Sequence, residues 1–270
     1  MGTDKRARQK ANRDRARQER IRKQKFTKVR NRGLLFGLGI PAIILALFLI
    51  SNFVMKDSTP AALVTDPLSA ETDATLPGKA ITGKTPCPKA DGTEARVTTF
   101  EQAPTMCIDP AKSYTALFET NQGLIEVALD TKKTPNTVNN FVTLSRYKYY
   151  DTSFIFRTDV NLDIIQGGGA TNSDSPGYTI KDEGTGFTYK TGDLVMARSS
   201  GADSGGGQFF FVTGPKASVL DSQGTYVTFG SVTKGLDVTQ KILGMSAGEG
   251  ALGGAPSTPV KIISVTITEK

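Results

Sequence analysis

The amino-acid sequence predicts an all-β domain, either a sandwich or a barrel, that follows a single membrane-spanning segment. Two observations predict this arrangement. Residues 112–270 contain many short runs of β-branched and aromatic residues but only two segments with helical spacing, which favours packed sheets over alternating strands and helices. Residues 34–54 form an uncharged run of 21 residues, which is the length of a membrane helix.

The basic charge of the chain is concentrated at its N terminus. Residues 1–33 contain 14 basic and three acidic residues, whereas the whole chain has 33 basic and 26 acidic residues. Beside the uncharged run, which we assign to an anchor at residues 34–55, this charge predicts a cytoplasmic N terminus and a domain outside the cytoplasmic membrane. The run is longer than the apolar region of a cleaved signal peptide. A nucleic-acid-binding arm is the alternative, but attraction to anionic lipid explains the charge, so no nucleic-acid partner is expected.

The segment after the anchor divides into a linker and a lead-in. Residues 56–86 are rich in Thr, Ala, Pro, Ser and Asp without an apolar period, which predicts a flexible linker. Residues 87–111 show little pattern but contain the only two cysteines, Cys87 and Cys107. An even number of cysteines in an oxidising compartment predicts a disulfide, and closing a loop of about 20 residues stabilises the fold by about 3 kcal/mol.

Residues 112–270 supply the predicted strands and helices. The residues from Tyr114 to Asp130 form two predicted strands joined at the turn sequence TNQG, which indicates a hairpin. Thr134 is the predicted N-cap of a first helix, with Pro135 at its first position, and residues 234–244 have the spacing of a second. Six further strands are predicted, with the sequences SFIFRT, DIIQGG, DLVMARS, GQFFFVTG, YVTFGSV and VKIISVTITE.

The strand with three consecutive phenylalanines has two different faces. Side chains alternate along a strand, so Gln208 and Phe210 share one face while Phe209 and Phe211 share the other. The preceding glycines, Gly205 to Gly207, permit close approaches that a Cβ would obstruct. A sheet packed on both faces is the simpler interpretation of this stretch. A binding face with an amide beside an aromatic ring is the alternative.

Several kinds of site are disfavoured by the composition and by the spacing of motifs. The chain has no histidine, which removes the nucleophile pairs that need one and the usual histidine-rich metal sites. The glycine-rich runs QGGG and SGGGQ lack the residues and the following helix of a phosphate-binding loop. Asp182 and Glu183 are adjacent in sequence, so we interpret them as a solvated turn rather than as paired catalytic carboxylates. No metal or cofactor is expected.

Five blocks of sequence carry a resemblance to a known family. In order they are SFIFRTDVNLDIIQGGGA, GDLVMARS, SGGGQFFFVT, VLDSQGTYVTFGSV and KGLDVTQKI, within residues 114–268. Their order and approximate spacing resemble those of the cyclophilin-type peptidyl-prolyl cis-trans isomerases. The resemblance implies that residues 112–270 form a closed eight-stranded antiparallel β-barrel capped by two α-helices. It also implies an isomerase without a covalent intermediate, with proline-containing peptide segments as its partners.

The same resemblance implies the residues of an active site. Arg157 corresponds to the catalytic arginine of the family, and Gln166 corresponds to the glutamine that helps to position it. The substrate-binding positions comprise an apolar proline pocket and a peptide groove. They are Ile164, Phe210, Leu220, Ala197 and Gln208, together with the altered positions Leu162, Arg198 and Tyr226.

The chain departs from the family pattern around the catalytic arginine. Phe156 stands before Arg157, where a histidine is common, and the interval from Arg157 to Gln166 is one residue longer than usual. Because of this insertion, either Leu162 or Asp163 is expected to face the proline pocket.

Three further departures lie in the pocket and the groove. Arg198 replaces a groove asparagine, and Tyr226 stands where a histidine often closes the pocket. A pocket tryptophan is missing near Val219, which implies weak binding of the drug cyclosporin.

Taken together, these observations predict a single-pass membrane protein with a cytoplasmic N terminus. Its outer domain is expected to isomerise X-Pro bonds of exported proteins as they fold. Two other functions stay open at this level: a proline-segment binding module or chaperone with little isomerase activity, and a structural envelope protein whose barrel is only a spacer. Peptide binding without a rate enhancement would select the binding module, and the absence of both would select the spacer.

Overall fold

The computed structural model describes residues 77–248, 250 and 252–270. The predicted tail at 1–33, the predicted anchor at 34–55 and residues 56–76 of the predicted linker lie outside the described residues. Within the part of the chain that is described, no helix is both long and apolar enough to cross a membrane.

The described residues form ten strands, two α-helices and one 3₁₀ helix. The strands are Lys79–Ile81 (β1), Val97–Phe100 (β2), Tyr114–Thr120 (β3), Gly123–Leu129 (β4), Ser153–Asp159 (β5), Ile164–Gly169 (β6), Asp193–Arg198 (β7), Gly205–Val212 (β8), Thr228–Lys234 (β9) and Val260–Glu269 (β10). The α-helices are Pro135–Arg146 (α1) and Leu236–Leu243 (α2), and the 3₁₀ helix is Pro215–Ser222. Strands β3 to β10 and both α-helices were predicted from the sequence. Strand β1, which falls inside the segment predicted as a flexible linker, β2 and the 3₁₀ helix were not.

Strands β3 to β10 close into a barrel in the order β10, β3, β4, β9, β7, β8, β6 and β5. Every neighbouring pair is antiparallel, and β10 closes the barrel by pairing with β5. Closure leaves none of these strands with an unpaired edge. The predicted closed antiparallel barrel is therefore confirmed. It places β5, β6 and β8, which carry half of the predicted catalytic and substrate-binding residues, side by side.

The two faces of β8 pack in different places, as the alternation of its side chains predicts. Phe209 and Phe211 are fully buried in the main core, where both rings meet Phe118 edge-on at centroid distances of 5.4 and 5.2 Å. Phe210 is also buried but belongs to a separate apolar cluster. Both faces of the strand are thus packed, one against the core and one against the surroundings of the candidate site.

Helix α1 begins after Thr134, as predicted, but a different residue caps it. The Thr134 hydroxyl donates a hydrogen bond to the Asp130 carbonyl oxygen at 3.2 Å rather than accepting one from the helix. The Glu183 carboxylate accepts hydrogen bonds from the N–H groups of Asn136 and Thr137 at 2.9 and 2.6 Å. The interpretation of the acidic pair as a solvated turn is therefore wrong for Glu183. A carboxylate at this end satisfies unpaired N–H groups and interacts favourably with the helix dipole.

Two of the glycines at the start of β8 are required by close packing. A Cβ atom at Gly206 would lie 2.9 Å from the Tyr178 carbonyl oxygen, and one at Gly207 would lie 2.8 Å from the Tyr149 hydroxyl oxygen. The Gly206 carbonyl oxygen also accepts a hydrogen bond from the Asn140 side chain of α1 at 2.6 Å. Larger residues here would displace the strand that carries part of the candidate site.

The lead-in packs against α1 and the residue that follows it. Strands β1 and β2 form a two-stranded parallel sheet, and the Val97 N–H donates to the Tyr147 carbonyl oxygen at 2.9 Å. Cys87 and Cys107 form the predicted disulfide. The Cys107 N–H donates to the Asn139 side-chain oxygen at 2.7 Å, so the disulfide-closed loop is tied to α1.

Candidate active site

The Arg157 side chain is held by three acceptors that come from three parts of the chain. From β5, its Nη1 donates to Gln166 Oε1 on β6 at 2.8 Å, and its Nη2 donates to Asp159 Oδ2 at 2.7 Å. Its Nε donates to the Leu252 carbonyl oxygen, in the segment between α2 and β10, at 2.6 Å. The side chain stays 25% exposed, so the guanidinium is both fixed and accessible.

A relay of side-chain amides fixes Gln166 in turn. Its Nε2 donates to Gln208 Oε1 on β8 at 3.0 Å. The Nε2 of Gln208 donates to the carbonyl oxygens of Asn172 and Asp174, both at 2.9 Å. Because each amide nitrogen faces an acceptor, each amide oxygen must face a donor. The relay therefore directs the Gln166 oxygen toward Arg157.

A cavity of about 520 Å³ opens beside the guanidinium. Residues of β5 and β6 form one wall, and the segments after β6 and after α2 form the others. Its lining consists of Phe156, Arg157, Gln166, Ala170, Thr171, Asn172, Leu252, Gly253, Gly254 and Ala255. The volume lies within the range of roughly 300 to 1,000 Å³ that is usual for ligand sites. The predicted catalytic residues thus face space that a peptide segment can enter.

The apolar residues predicted for the proline pocket come together in one cluster, separate from the barrel core. We call it the pocket cluster. Its buried members are Ile164, Tyr189, Val195, Ala197, Phe210, Val212 and Ala217, and Leu162, Phe187, Leu220 and Tyr226 pack against them while staying partly exposed. The rings of Phe210 and Tyr226 meet edge-on at 5.8 Å. Strand β6 links the cluster to the guanidinium, since it carries both Ile164 and Gln166.

The extra residue between β5 and β6 is absorbed in their connecting turn. Arg157 and Gln166 remain cross-strand partners. Asp163 has a positive φ of 50°, and its carboxylate accepts a hydrogen bond from the Lys216 N–H at 3.0 Å. Leu162 packs against the pocket cluster instead. Of the two residues that the sequence left open, the structure therefore places Leu162 at the pocket and directs Asp163 to the start of the 3₁₀ helix.

Arg198 lies at the groove but is already paired. Its Nε and Nη2 donate to the two carboxylate oxygens of Asp182 at 3.1 and 2.5 Å, and its Cζ lies 5.6 Å from the centre of the Tyr226 ring. The solvated-turn interpretation is therefore also wrong for Asp182, whose side chain is only 14% exposed. Arg198 joins Ala197 and Gln208 in the lining of a smaller cavity of about 80 Å³. These three predicted groove residues thus share one surface.

Two residues that bind the Arg157 side chain were missed from the sequence. Asp159 is fully buried and binds Arg157, while the Leu252 carbonyl oxygen binds the same guanidinium. The sequence did contain a local signal for Asp159. An Asp side chain often accepts a hydrogen bond from the N–H two residues later, which forms an Asx turn. Asp159 Oδ1 accepts such a bond from the Asn161 N–H at 3.0 Å. Leu252 carried none, because a backbone carbonyl contact depends on tertiary structure alone.

Tyr189, a buried member of the pocket cluster that was also missed, binds the backbone of Tyr226. Its hydroxyl donates to the Tyr226 carbonyl oxygen at 3.1 Å and accepts from the Tyr226 N–H at 2.9 Å. Burial is the main reason that the pKa of Tyr189 is raised above its ordinary value. The hydroxyl is protonated at neutral pH, as any phenol with an ordinary or raised pKa is, and its two hydrogen bonds hold Tyr226 beside Phe210.

The model of one protein family matches residues 115–267, which is more than half of the chain. That family is described as cyclophilin type peptidyl-prolyl cis-trans isomerase/CLD. The chain belongs to this family. The predicted cyclophilin resemblance is confirmed, and the cyclophilin domain occupies the barrel described above.

Curated relatives and a solved structure agree with this assignment. The chain is 36% identical to a peptidyl-prolyl cis-trans isomerase of Acinetobacter baylyi over 157 residues, which cover 55% of this chain and 82% of the relative. It is 33% identical to peptidyl-prolyl cis-trans isomerase B of Escherichia coli, over 56% of this chain and 98% of the relative. A cyclophilin type isomerase of Cryptosporidium parvum matches in structure with a TM-score of 0.50 and 23% identity, covering 58% of this chain and 99% of that one, which supports the fold. The prediction of an isomerase of this family is confirmed.

Proposed function

We propose that this cyclophilin accelerates cis-trans isomerisation of X-Pro bonds in exported proteins, with Arg157 as its catalytic residue. Family membership establishes the peptidyl-prolyl isomerase activity. The observation that carries the residue assignment is the arrangement of Arg157, Gln166 and Gln208 in one hydrogen-bonded chain. Phe210 on β8 is the cross-strand partner of Gln166 on β6. The cationic donor Arg157 on β5 thus lies next to β6 and β8, the strands that carry Ile164 and Phe210 of the pocket cluster.

The chemistry of the reaction explains these residue types. Rotation about a peptide bond has a barrier of about 18 to 20 kcal/mol, because resonance gives the C–N bond partial double-bond character. Twisting the bond localises the lone pair on the prolyl nitrogen. A guanidinium N–H that donates to this nitrogen stabilises the twisted state more than the planar one, which is what lowers a barrier. Arg157 has the charge, the exposure and the fixed orientation for this role.

The pocket cluster supplies the other requirement, a firm hold on the proline ring. Phe210 offers an aromatic surface, while Leu162, Leu220 and Tyr226 border it and stay partly exposed. An apolar surface favours the ring over water and keeps the guanidinium interaction strong in a site of low dielectric constant. The reaction then proceeds by rotation while the ring stays in place, without a bond to the enzyme being made or broken.

The activity is tested by exchange NMR on X-Pro peptides with the full chain in a mild detergent. We expect faster cis-to-trans exchange, and a loss of at least about tenfold in kcat/KM in Arg157→Ala, equal to about 1.4 kcal/mol of transition-state stabilisation. Arg157→Lys is the matched control for charge, because lysine keeps the charge but not the planar fork of donors. Unchanged activity in Arg157→Ala would refute the assigned role. Peptide binding without acceleration would support the binding-module alternative.

The proposed location rests on the sequence of the N-terminal region. The basic tail and the uncharged run at residues 34–54 support an anchor with its N terminus in the cytoplasm. The disulfide between Cys87 and Cys107 is consistent with an oxidising compartment. Alkaline phosphatase fused after Lys270 should be active in bacterial cells, because it matures only outside the cytoplasm. The control is a fluorescent protein fused at the same point. An inactive phosphatase fusion together with a bright fluorescent fusion would show that the C terminus is cytoplasmic and would contradict the proposed topology.

Weak cyclosporin binding is proposed for the same site. Val219, near the position where other cyclophilins have a tryptophan, is 61% exposed on the 3₁₀ helix. An exposed isopropyl group offers much less contact area than an indole and no N–H donor. A calorimetric titration should show weaker binding to the natural chain than to Val219→Trp. Equal affinities would contradict this explanation.

A further inference from the structure

Asp159 connects the guanidinium of Arg157 to the turn that contains the extra residue. Its side chain is fully buried, and both carboxylate oxygens are used. Oδ2 accepts from Arg157 Nη2 at 2.7 Å, and Oδ1 accepts from the N–H groups of Asn161 and Leu162 at 3.0 and 3.3 Å. A buried carboxylate is costly unless it is paired and hydrogen-bonded, so these contacts constrain one another.

We propose that Asp159 is a positioning residue, which holds the Arg157 guanidinium in the orientation needed for isomerisation. The inference rests on the proposed function of Arg157. It extends that function because Asp159 acts only through the arginine and does not contact the substrate.

The geometry favours positioning over simple charge pairing. Arg157 and Asp159 are two residues apart on β5, so their side chains leave the strand on the same face. Gln166 binds Nη1, and the Leu252 carbonyl oxygen binds Nε. Three acceptors on three different nitrogens define the plane of a guanidinium, since two contacts still leave an axis of rotation. Removing the Asp159 carboxylate releases Nη2, while Gln166 and Leu252 still hold Nη1 and Nε.

The segment that contains Leu252 is hydrogen-bonded to Thr158, the residue between Arg157 and Asp159. Thr158 donates through its N–H to the Gly254 carbonyl oxygen at 2.7 Å, and the Gly254 N–H donates to the Thr158 carbonyl oxygen at 3.0 Å. A Cβ at Gly253 would lie only 2.1 Å from that carbonyl oxygen, so the contact requires glycine. Leu252 therefore keeps its place when Asp159 is changed. A substitution at Asp159 then changes the contacts of its carboxylate and not the position of Leu252.

Asp159→Asn is the sharpest substitution, because an amide has one acceptor where the carboxylate has two. If Asn Oδ1 keeps accepting from the turn, its Nδ2 faces Arg157 Nη2, and two donors oppose each other. The turn is retained while the hold on the arginine is lost. Asp163→Asn is the matched control: it changes the same chemical group in the same turn, at a carboxylate that binds Lys216 and not Arg157.

The experiment measures isomerase kinetics of the full chain for Asp159→Asn, Asp163→Asn, Arg157→Ala and the double variant of Asp159→Asn with Arg157→Ala. We expect Asp159→Asn to lower kcat/KM roughly tenfold through kcat, with KM changed by less than about twofold. Asp163→Asn should stay within about twofold of the natural chain. In the double variant, Asp159→Asn should cost nothing beyond the loss in Arg157→Ala, because a residue that acts through the arginine has no effect without it.

Three outcomes would overturn the inference: natural activity in Asp159→Asn, a rise in kcat, or the same factor of loss with and without Arg157. If Asp159→Asn does not fold, the natural chain still gives a test by NMR. A held guanidinium shows separate resonances for its Nη–H protons, whereas a single averaged resonance would contradict the clamp. No acceleration by the natural chain would refute the proposed function itself, and acceleration that Asp159→Asn leaves unchanged would refute only the positioning role.

Discussion

Alanine substitutions of two adjacent phenylalanines should separate the barrel core from the pocket cluster. Phe209 is fully buried and packs edge-on against Phe118, Tyr150 and Phe211 at centroid distances of 5.4 to 5.6 Å. Phe209→Ala should lower the free energy of unfolding by about 4 kcal/mol, since both transfer energy and a closed cavity contribute. For a domain of this size, that loss corresponds to a fall in Tm of about 8 to 16 °C.

Phe210→Ala should have the opposite balance of effects. The neighbours Leu162, Leu220 and Tyr226 are partly exposed, so water can enter the vacated space and only the transfer energy is lost, about 2 kcal/mol. The kcat/KM for X-Pro peptides should fall by at least about tenfold, because the proline ring loses its aromatic contact. Urea unfolding and isomerase assays on both variants make the comparison. Equal destabilisation with full activity in folded Phe210→Ala would refute the assignment of the two faces.

Three further predictions concern the relay, the disulfide and the buried tyrosines. Gln166→Leu should lower kcat/KM by about tenfold with little change in stability, because Arg157 loses one acceptor; activity equal to that of the natural chain would contradict the relay. Reduction of the Cys87–Cys107 disulfide should lower the free energy of unfolding by about 3 kcal/mol and spare kcat/KM, since the loop is tied to α1; a urea midpoint unchanged by reductant would contradict this. Burial raises the pKa values of three phenols above the ordinary 10.0, so the folded state keeps them neutral and stability falls as pH rises beyond about 10. These phenols are Tyr149, Tyr150 and Tyr178. Tyrosinate absorbance should therefore rise together with unfolding, and their ionisation in a chain that remains folded would contradict the prediction.

The sequence by itself determined the features that depend on local pattern. Alternation along β8 separated Phe210 from Phe209, and the run of strand-like segments with two helices predicted an all-β domain. The order of five sequence blocks predicted Arg157 and Gln166, which the structure brings within hydrogen-bond distance. The predictions of the all-β domain and of the two faces of β8 are confirmed, because alternation is a property of the chain before it folds. The roles of Arg157 and Gln166 stay predictions.

Tertiary structure alone decided the contacts between distant segments. Glu183 caps helix α1 by accepting from Asn136, which lies 47 residues earlier in the chain. The interpretation of Glu183 as part of a solvated turn was therefore wrong. Leu252 binds Arg157 across 95 residues through a backbone oxygen that any residue type could provide. Local pattern carries no information on such pairs, because closure of the barrel sets which segments meet.

The turn between β5 and β6 shows the same division within ten residues. The family resemblance implied one extra residue between Arg157 and Gln166, but it left open whether Leu162 or Asp163 faces the pocket. The choice depended on Lys216, whose N–H donates a hydrogen bond to the Asp163 carboxylate at 3.0 Å and draws it toward the 3₁₀ helix. Sequence therefore determined which groups were available at the candidate site, and the packing of the 3₁₀ helix against the turn decided which of them contacts the pocket cluster.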